Sequence, residues 1–155
     1  MRFFEVKVKY DKMLETGAVK TVTETYALDA LSFTEAEAKI TDKMRPYIQG
    51  SFEVTAEKIA PYTNLIRGDH DLYYQVKYTF MQFNETNGTE TKKHLETILI
   101  NAEDFDEAKA KAVEYQRNTT VDWQIDTLKE TSIVDVFTYL DNVDVSVSTA
   151  PLPEG

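Results

Sequence analysis

The segment Asp29-Ala30-Leu31-Ser32-Phe33-Thr34-Glu35-Ala36-Glu37-Ala38-Lys39 and the later segment Asn101-Ala102-Glu103-Asp104-Phe105-Asp106-Glu107-Ala108-Lys109-Ala110-Lys111 carry the same pattern twice. In each, a short polar residue (Ser32, Asp104) stands three positions before a glutamate (Glu35, Glu107). That spacing lets the first side chain accept from an orphan N–H at a helix start while the carboxylate reaches back. Two helices are therefore predicted to begin at equivalent points. Ala36, Ile40 and Met44 form an apolar stripe on the first, and Ala108, Ala112 and Tyr115 on the second. Pro46 should end the first helix near Arg45, with Gly50 and Asn118 as left-handed stops.

The flanking sequence repeats as well. Phe4-Glu5-Val6-Lys7-Val8-Lys9-Tyr10 matches Tyr74-Gln75-Val76-Lys77-Tyr78-Thr79-Phe80, each a period-two strand with one apolar face. Each reaches a polar turn with glycine, Glu15-Thr16-Gly17 or Thr86-Asn87-Gly88, as a hairpin requires. Returning strands are expected at about 19–29 and 92–101. After each helix a further strand follows, Phe52-Glu53-Val54 matching Trp123-Gln124-Ile125, with both aromatics expected in the core. The fold class read from this is α+β: internally duplicated ββαβ units, an antiparallel sheet with two helices packed on it. Repeat one spans about 3–62 and repeat two about 72–140 of a single domain, and 141–155 is a partly flexible tail. Whether the copies share one sheet or form two lobes stays open. Residues 62–71, with Arg67-Gly68-Asp69-His70-Asp71, read as a polar linking turn. A strand over 132–140 should bury Val134, Val136 and Tyr139.

The chain of 155 residues has no cysteine, which excludes disulfides, thiolate metal sites and cysteine nucleophiles. No stretch approaches the roughly 20 apolar residues of a membrane span, and a soluble cytoplasmic protein is expected. The net charge of −10 repels phosphate backbones and counts against a large duplex-DNA footprint. With two histidines, no Gly-rich phosphate loop and no nucleophile elbow, the chain is read as no enzyme, with no cofactor. Asp69-His70-Asp71 is read as a solvated turn and no metal site is expected. The carboxylates at the helix starts are read as caps.

A lysine-bearing strand face is the one feature that suggests a ligand. Lys7 and Lys9 point away from the apolar side of the first strand, Lys77 does so in the second copy, and Lys92 and Lys93 follow on the next strand. Tyr73 and Phe83 stand nearby as stacking platforms. Basic grooves with aromatic platforms bind single-stranded nucleic acid. The plain alternative is a solvated sheet face whose lysines discourage edge aggregation.

The run Tyr26 to Ile40, preceded by Phe4 to Tyr10, resembles a small uncharacterised domain family of gut Bacteroidales and their crAss-like phages. The resemblance extends to Tyr47-Ile48, Phe52-Glu53-Val54-Thr55 and Ile133-Val134-Asp135-Val136-Phe137. It transfers no catalytic residue. It implies a phage-type accessory protein in the cytoplasm of a bacterial host. The leading expectation is a non-enzymatic protein that binds single-stranded nucleic acid during replication or recombination. The alternative is an acidic protein-interaction module or DNA-mimic-like inhibitor, whose Glu35, Glu37, Asp42, Asp106 and Glu107 engage a basic protein partner. A homodimer through sheet edges is a further expectation.

Overall fold

A computed structural model describes residues 1–139 of the chain. The expected tail, 141–155, lies outside the described residues.

The two caps form as their spacing requires. Ser32 Oγ accepts from the Glu35 N–H at 3.1 Å, and Asp104 Oδ1 accepts from the Glu107 N–H at 2.8 Å. They start α1 (Phe33–Met44) and α2 (Phe105–Tyr115). The Glu107 carboxylate reaches back one residue further than the usual box, to the Glu103 N–H. Ala36, Ile40 and Met44 are buried on α1, and Ala108 and Ala112 on α2. Gly50 takes a φ of +94°, but Asn118 does not adopt the left-handed conformation expected of it.

Before each helix stands a long hairpin: β1 (Arg2–Met13) with β2 (Val19–Ala30), and β5 (Leu72–Asn84) with β6 (Thr89–Ala102). After each helix a strand returns beside the hairpin's first strand, β3 (Phe52–Ile59) on β1 and β7 (Trp123–Glu130) on β5. The bulges also match. Thr55 is the extra residue between the pairs Lys7 with Ala56 and Val8 with Val54. Asp126 is the extra residue between Lys77 with Thr127 and Tyr78 with Ile125.

Two strands complete the sheets. The segment read as a polar linking turn contains β4 (Asn64–Ile66), and β8 (Ile133–Phe137) follows β7. Each joins the other half's sheet. β8 lies parallel to β2, with Asp135, Val136 and Phe137 opposite Tyr26, Ala27 and Leu28. β4 lies parallel to β6, with Asn64, Leu65 and Ile66 opposite Ile98, Leu99 and Ile100. The result, among the described residues, is α+β with two four-stranded sheets, β3-β1-β2-β8 and β4-β6-β5-β7, antiparallel but for the exchanged strand of each.

This exchange explains the burial of Tyr62 and two burial expectations that fail, Val134 and Tyr139. Tyr62 is 1% exposed, since the chain crosses between the sheets there on its way into β4. Val134 and Tyr139 are exposed, whereas Ile133 and Val136 are buried. On β8 the buried positions are those that meet the inter-sheet cluster. Phe52 and Trp123 are half-buried against their cores.

Three clusters hold the molecule. Phe4, Val6, Val8 and Leu28 pack under α1; Tyr74, Val76, Tyr78, Ile98 and Ile100 pack under α2. The opposite sheet faces meet through Ala27, Ala60, Tyr62, Leu99, Ile133 and Val136, with Phe3, Leu65 and Tyr73 against them. Polar links reinforce this seam. Asn101 donates to the carbonyls of His70 and Leu72 and accepts from the His70 N–H, while Arg67 donates to Thr138. The Asp29 carboxylate accepts from the Tyr139 N–H.

Candidate functional site

The lysines singled out in the sequence fall on two sheets. Lys7 and Lys9 are exposed on the face of β1 that points away from α1. Their cross-strand neighbours there are Thr25 and Ala56 for Lys7, and Thr23 and Glu53 for Lys9. Neither forms an ion pair with a described residue.

On the second sheet, Lys92 Nζ lies 2.8 Å and Lys77 Nζ 3.7 Å from the Asp126 carboxylate. The hydrogen bond from Lys92, with the charges of both lysines, holds the Asp126 carboxyl below the usual carboxylate range. The bulge that makes Asp126 the extra residue of β7 sets its carboxylate between the two lysines. Lys93 pairs with Phe80, whereas Lys92 pairs with Met81. Directly opposite residues share a face, so Lys93 projects to the other side of the sheet from Lys92.

Of the two aromatic platforms, Phe83 is 59% exposed near the tip of the β5–β6 hairpin. Tyr73 packs into the inter-sheet cluster, and its hydroxyl lies 3.4 Å from Asp135 Oδ1. The structure thus brings Lys77 and Lys92 together on a shared counter-ion. It leaves Lys7 with Lys9 as a separate pair, and seats Tyr73 in a packing role.

His70 is likewise engaged. Its Nε2 lies 3.1 Å from Glu107 Oε1, which also meets Lys111 Nζ at 3.1 Å. Chiefly the Lys111 hydrogen bond, then the Glu103 N–H and the nearby His70, lower the Glu107 pKa. No group of three metal-ligating side chains is found among the described residues.

A different surface gathers exposed apolar groups. After α1 the N–H groups of Tyr47 and Ile48 both return to the Met44 carbonyl. This turn folds Ile48 into the core under α1 and leaves its neighbour Tyr47 79% exposed. Met13 and Val19, at the adjoining ends of β1 and β2, are 72% and 62% exposed. Together with Tyr10 and Ile48 they line an open groove of about 550 Å³, with Asp11, Lys12 and Gln49 also on its walls. Tyr10, on its wall, and Tyr26, in the core under α1, both donate to Glu24 Oε1, at 2.7 and 2.9 Å. Burial, then the Glu24 carboxylate, pushes the Tyr10 hydroxyl up to about 12 and raises that of Tyr26 further. Tyr47 and Ile48 are part of the family resemblance, but nothing in their spacing marks an exposed anchor; an aromatic just past a helix-ending proline is the available signal.

The family model described as Domain of unknown function (DUF4494) matches residues 2–139. The chain belongs to the DUF4494 family. Within it the match spans both sheets, both helices and the two exchanged strands. No curated protein and no solved structure matches this DUF4494 chain. No helix among the described residues is long and apolar enough to cross a membrane.

Proposed function

We propose that this DUF4494 chain is a non-enzymatic protein-interaction module that takes a large side chain of a basic partner in the groove between α1 and the end of the β1–β2 hairpin. The observation that carries this reading is the convergence of Tyr47, Met13 and Val19, all mostly exposed, on one groove. Exposed aromatic and methionine side chains are typical anchors of protein interfaces. A net charge of −10 favours a basic partner and speeds its approach. Glu37 and Asp42 stand exposed on α1, the helix that leads to the groove.

Selection of a random-peptide library on the immobilised protein tests this reading. Enriched peptides should combine Lys or Arg with a large apolar residue and lose about tenfold or more in affinity for Tyr47→Ala. Selection without enrichment, or peptides indifferent to that change, would sink the idea.

Lys7 and Lys9, exposed without ion pairs to the described residues, favour a second reading, in which β1 contacts single-stranded nucleic acid. A labelled single strand should then bind in a salt-sensitive manner and weaken with Lys7→Glu, while an equal-length duplex binds less well. Either reading suits an accessory protein in the cytoplasm of a bacterial host, the setting that the crAss-like phage resemblance implies. The matched caps, bulges and exchanged strands also support an origin by duplication.

A further inference from the structure

Strand β3 ends the first sheet, and among the described residues it is hydrogen-bonded to β1 alone. Its outer edge has a readable phase. Ala60 donates its N–H to the Phe3 carbonyl at 2.9 Å. Inward and outward backbone groups alternate along an antiparallel strand, so those of Ile59 and Glu57 point away from β1. At the bulge both Thr55 and Ala56 oppose Lys7, after which Val54 and Phe52 point outward.

The side chains keep the same phase. Phe52, Val54, Glu57 and Ile59 stand opposite Tyr10, Val8, Val6 and Phe4, on the face that carries α1. Glu53 and Lys58 stand opposite Lys9 and Glu5, on the other face. Ile59 is 46% exposed, Glu53 is exposed, and the Lys58 side chain is 67% exposed while it pairs with Glu5.

We propose that β3 pairs antiparallel with β3 of a second copy of this chain, about a twofold axis between Thr55 and Ala56. All eight residues of the strand overlap in that arrangement. Phe52 meets Ile59 of the second copy on the helix face, and Glu53 meets Lys58 on the opposite face. Val54 meets Glu57, and each outward backbone group finds an outward group opposite it. Directly opposed charges of unlike sign and paired apolar groups are the side-chain contacts that stabilise a sheet. Both sides of the axis carry them because the strand is self-complementary.

The equivalent edge, β7, lacks this charge complementarity. Full overlap of two β7 strands sets Ile125 against Leu128 but opposes no charges of unlike sign: Trp123 falls against Glu130 and Gln124 against Lys129, and Asp126 is already committed to Lys77 and Lys92. The dimer is therefore specific to one of two topologically equivalent edges.

Sedimentation velocity of the full chain over a range of concentrations tests the proposal, with circular dichroism confirming that each variant is folded. The wild-type chain should form a dimer. Glu53→Lys and Lys58→Glu should each be monomeric, because each opposes like charges across the axis. An equimolar mixture of the two variants should dimerise, since the new lysine of one then meets the new glutamate of the other. A monomeric wild type, single variants that still dimerise, or a mixture that stays monomeric would each overturn it. If Lys58→Glu unfolds beside Glu5, Glu53→Lys decides alone, because Glu53 is exposed and forms no ion pair with a described residue.

Discussion

Tyr78 is fully buried between β5 and α2, and its hydroxyl donates to the Ala112 carbonyl at 2.7 Å. Tyr78→Phe leaves that carbonyl without its tyrosine donor, and urea unfolding should register a loss of about 1 kcal/mol. Glu57 has the opposite sign of influence. Burial, and then the charge of Glu37, raises its carboxyl pKa, and its Oε1 has no hydrogen-bond partner among the described residues. The folded chain therefore holds this proton more tightly than the unfolded chain does. Stability falls as pH rises from the unfolded value through the higher folded one. Glu57→Gln should raise the melting temperature near neutral pH and leave it unchanged in acid below both values. Asp126 runs the other way. Its lowered pKa adds stability above the unfolded value that is lost as pH falls through the folded one, so Asp126→Asn should flatten the acid limb of a stability-against-pH curve.

The helices and hairpins were legible because each is a local pattern. Ser32 and Asp104 advertise their helix starts, and Phe4, Val6 and Val8 advertise a buried strand face. Replacement of either cap by alanine should cost about 1 kcal/mol in a thermal or urea melt. The exchanged strands were less legible. Asn64, Leu65 and Ile66 are too few to show alternation, and their pairing with Ile98, Leu99 and Ile100 is made far along the chain. The burial of Tyr62 follows from that crossing and from nothing in its neighbourhood. Among the candidate lysines, the strand faces of Lys7, Lys9 and Lys77 could be read from period two. The engagement of Lys77 and Lys92 by Asp126 could not, because it depends on which residue of β7 is extruded by a bulge. The turn into β5 is equally a matter of close approach. A Cβ on Gly68 would lie 2.7 Å from Asn101 Oδ1 and 3.1 Å from the Asn101 carbonyl oxygen. Gly68→Ala should therefore destabilise by about 1–3 kcal/mol through overpacking against a side chain already hydrogen-bonded to His70 and Leu72.

Each half of the molecule donates a strand to the other's sheet, so neither sheet is complete without both halves. Leu99 sits between them, buried in the cluster that joins Ala27, Tyr62, Ile133 and Val136. Heat or urea should therefore melt the chain in one transition, with near- and far-ultraviolet circular dichroism superimposing. Leu99→Ala should shift that single transition by about 2–5 kcal/mol without splitting it; two separated transitions would show that the sheets fold apart. The seam has one more consequence. Arg2 lies opposite Ala30 on β2, and the Tyr139 N–H is bound by the neighbouring Asp29. Residue 139 and the start of β1 thus flank the same end of β2, just as the end of β4 and the start of β5 flank the same end of β6 in the other half. Over the described residues, the path from Arg2 to Tyr139 is nearly a ring. A circularly permuted gene that begins at Leu72, runs to 139 and continues through a short linker to Arg2 should encode the same pair of sheets, with the break moved to the loop that now carries Gly68.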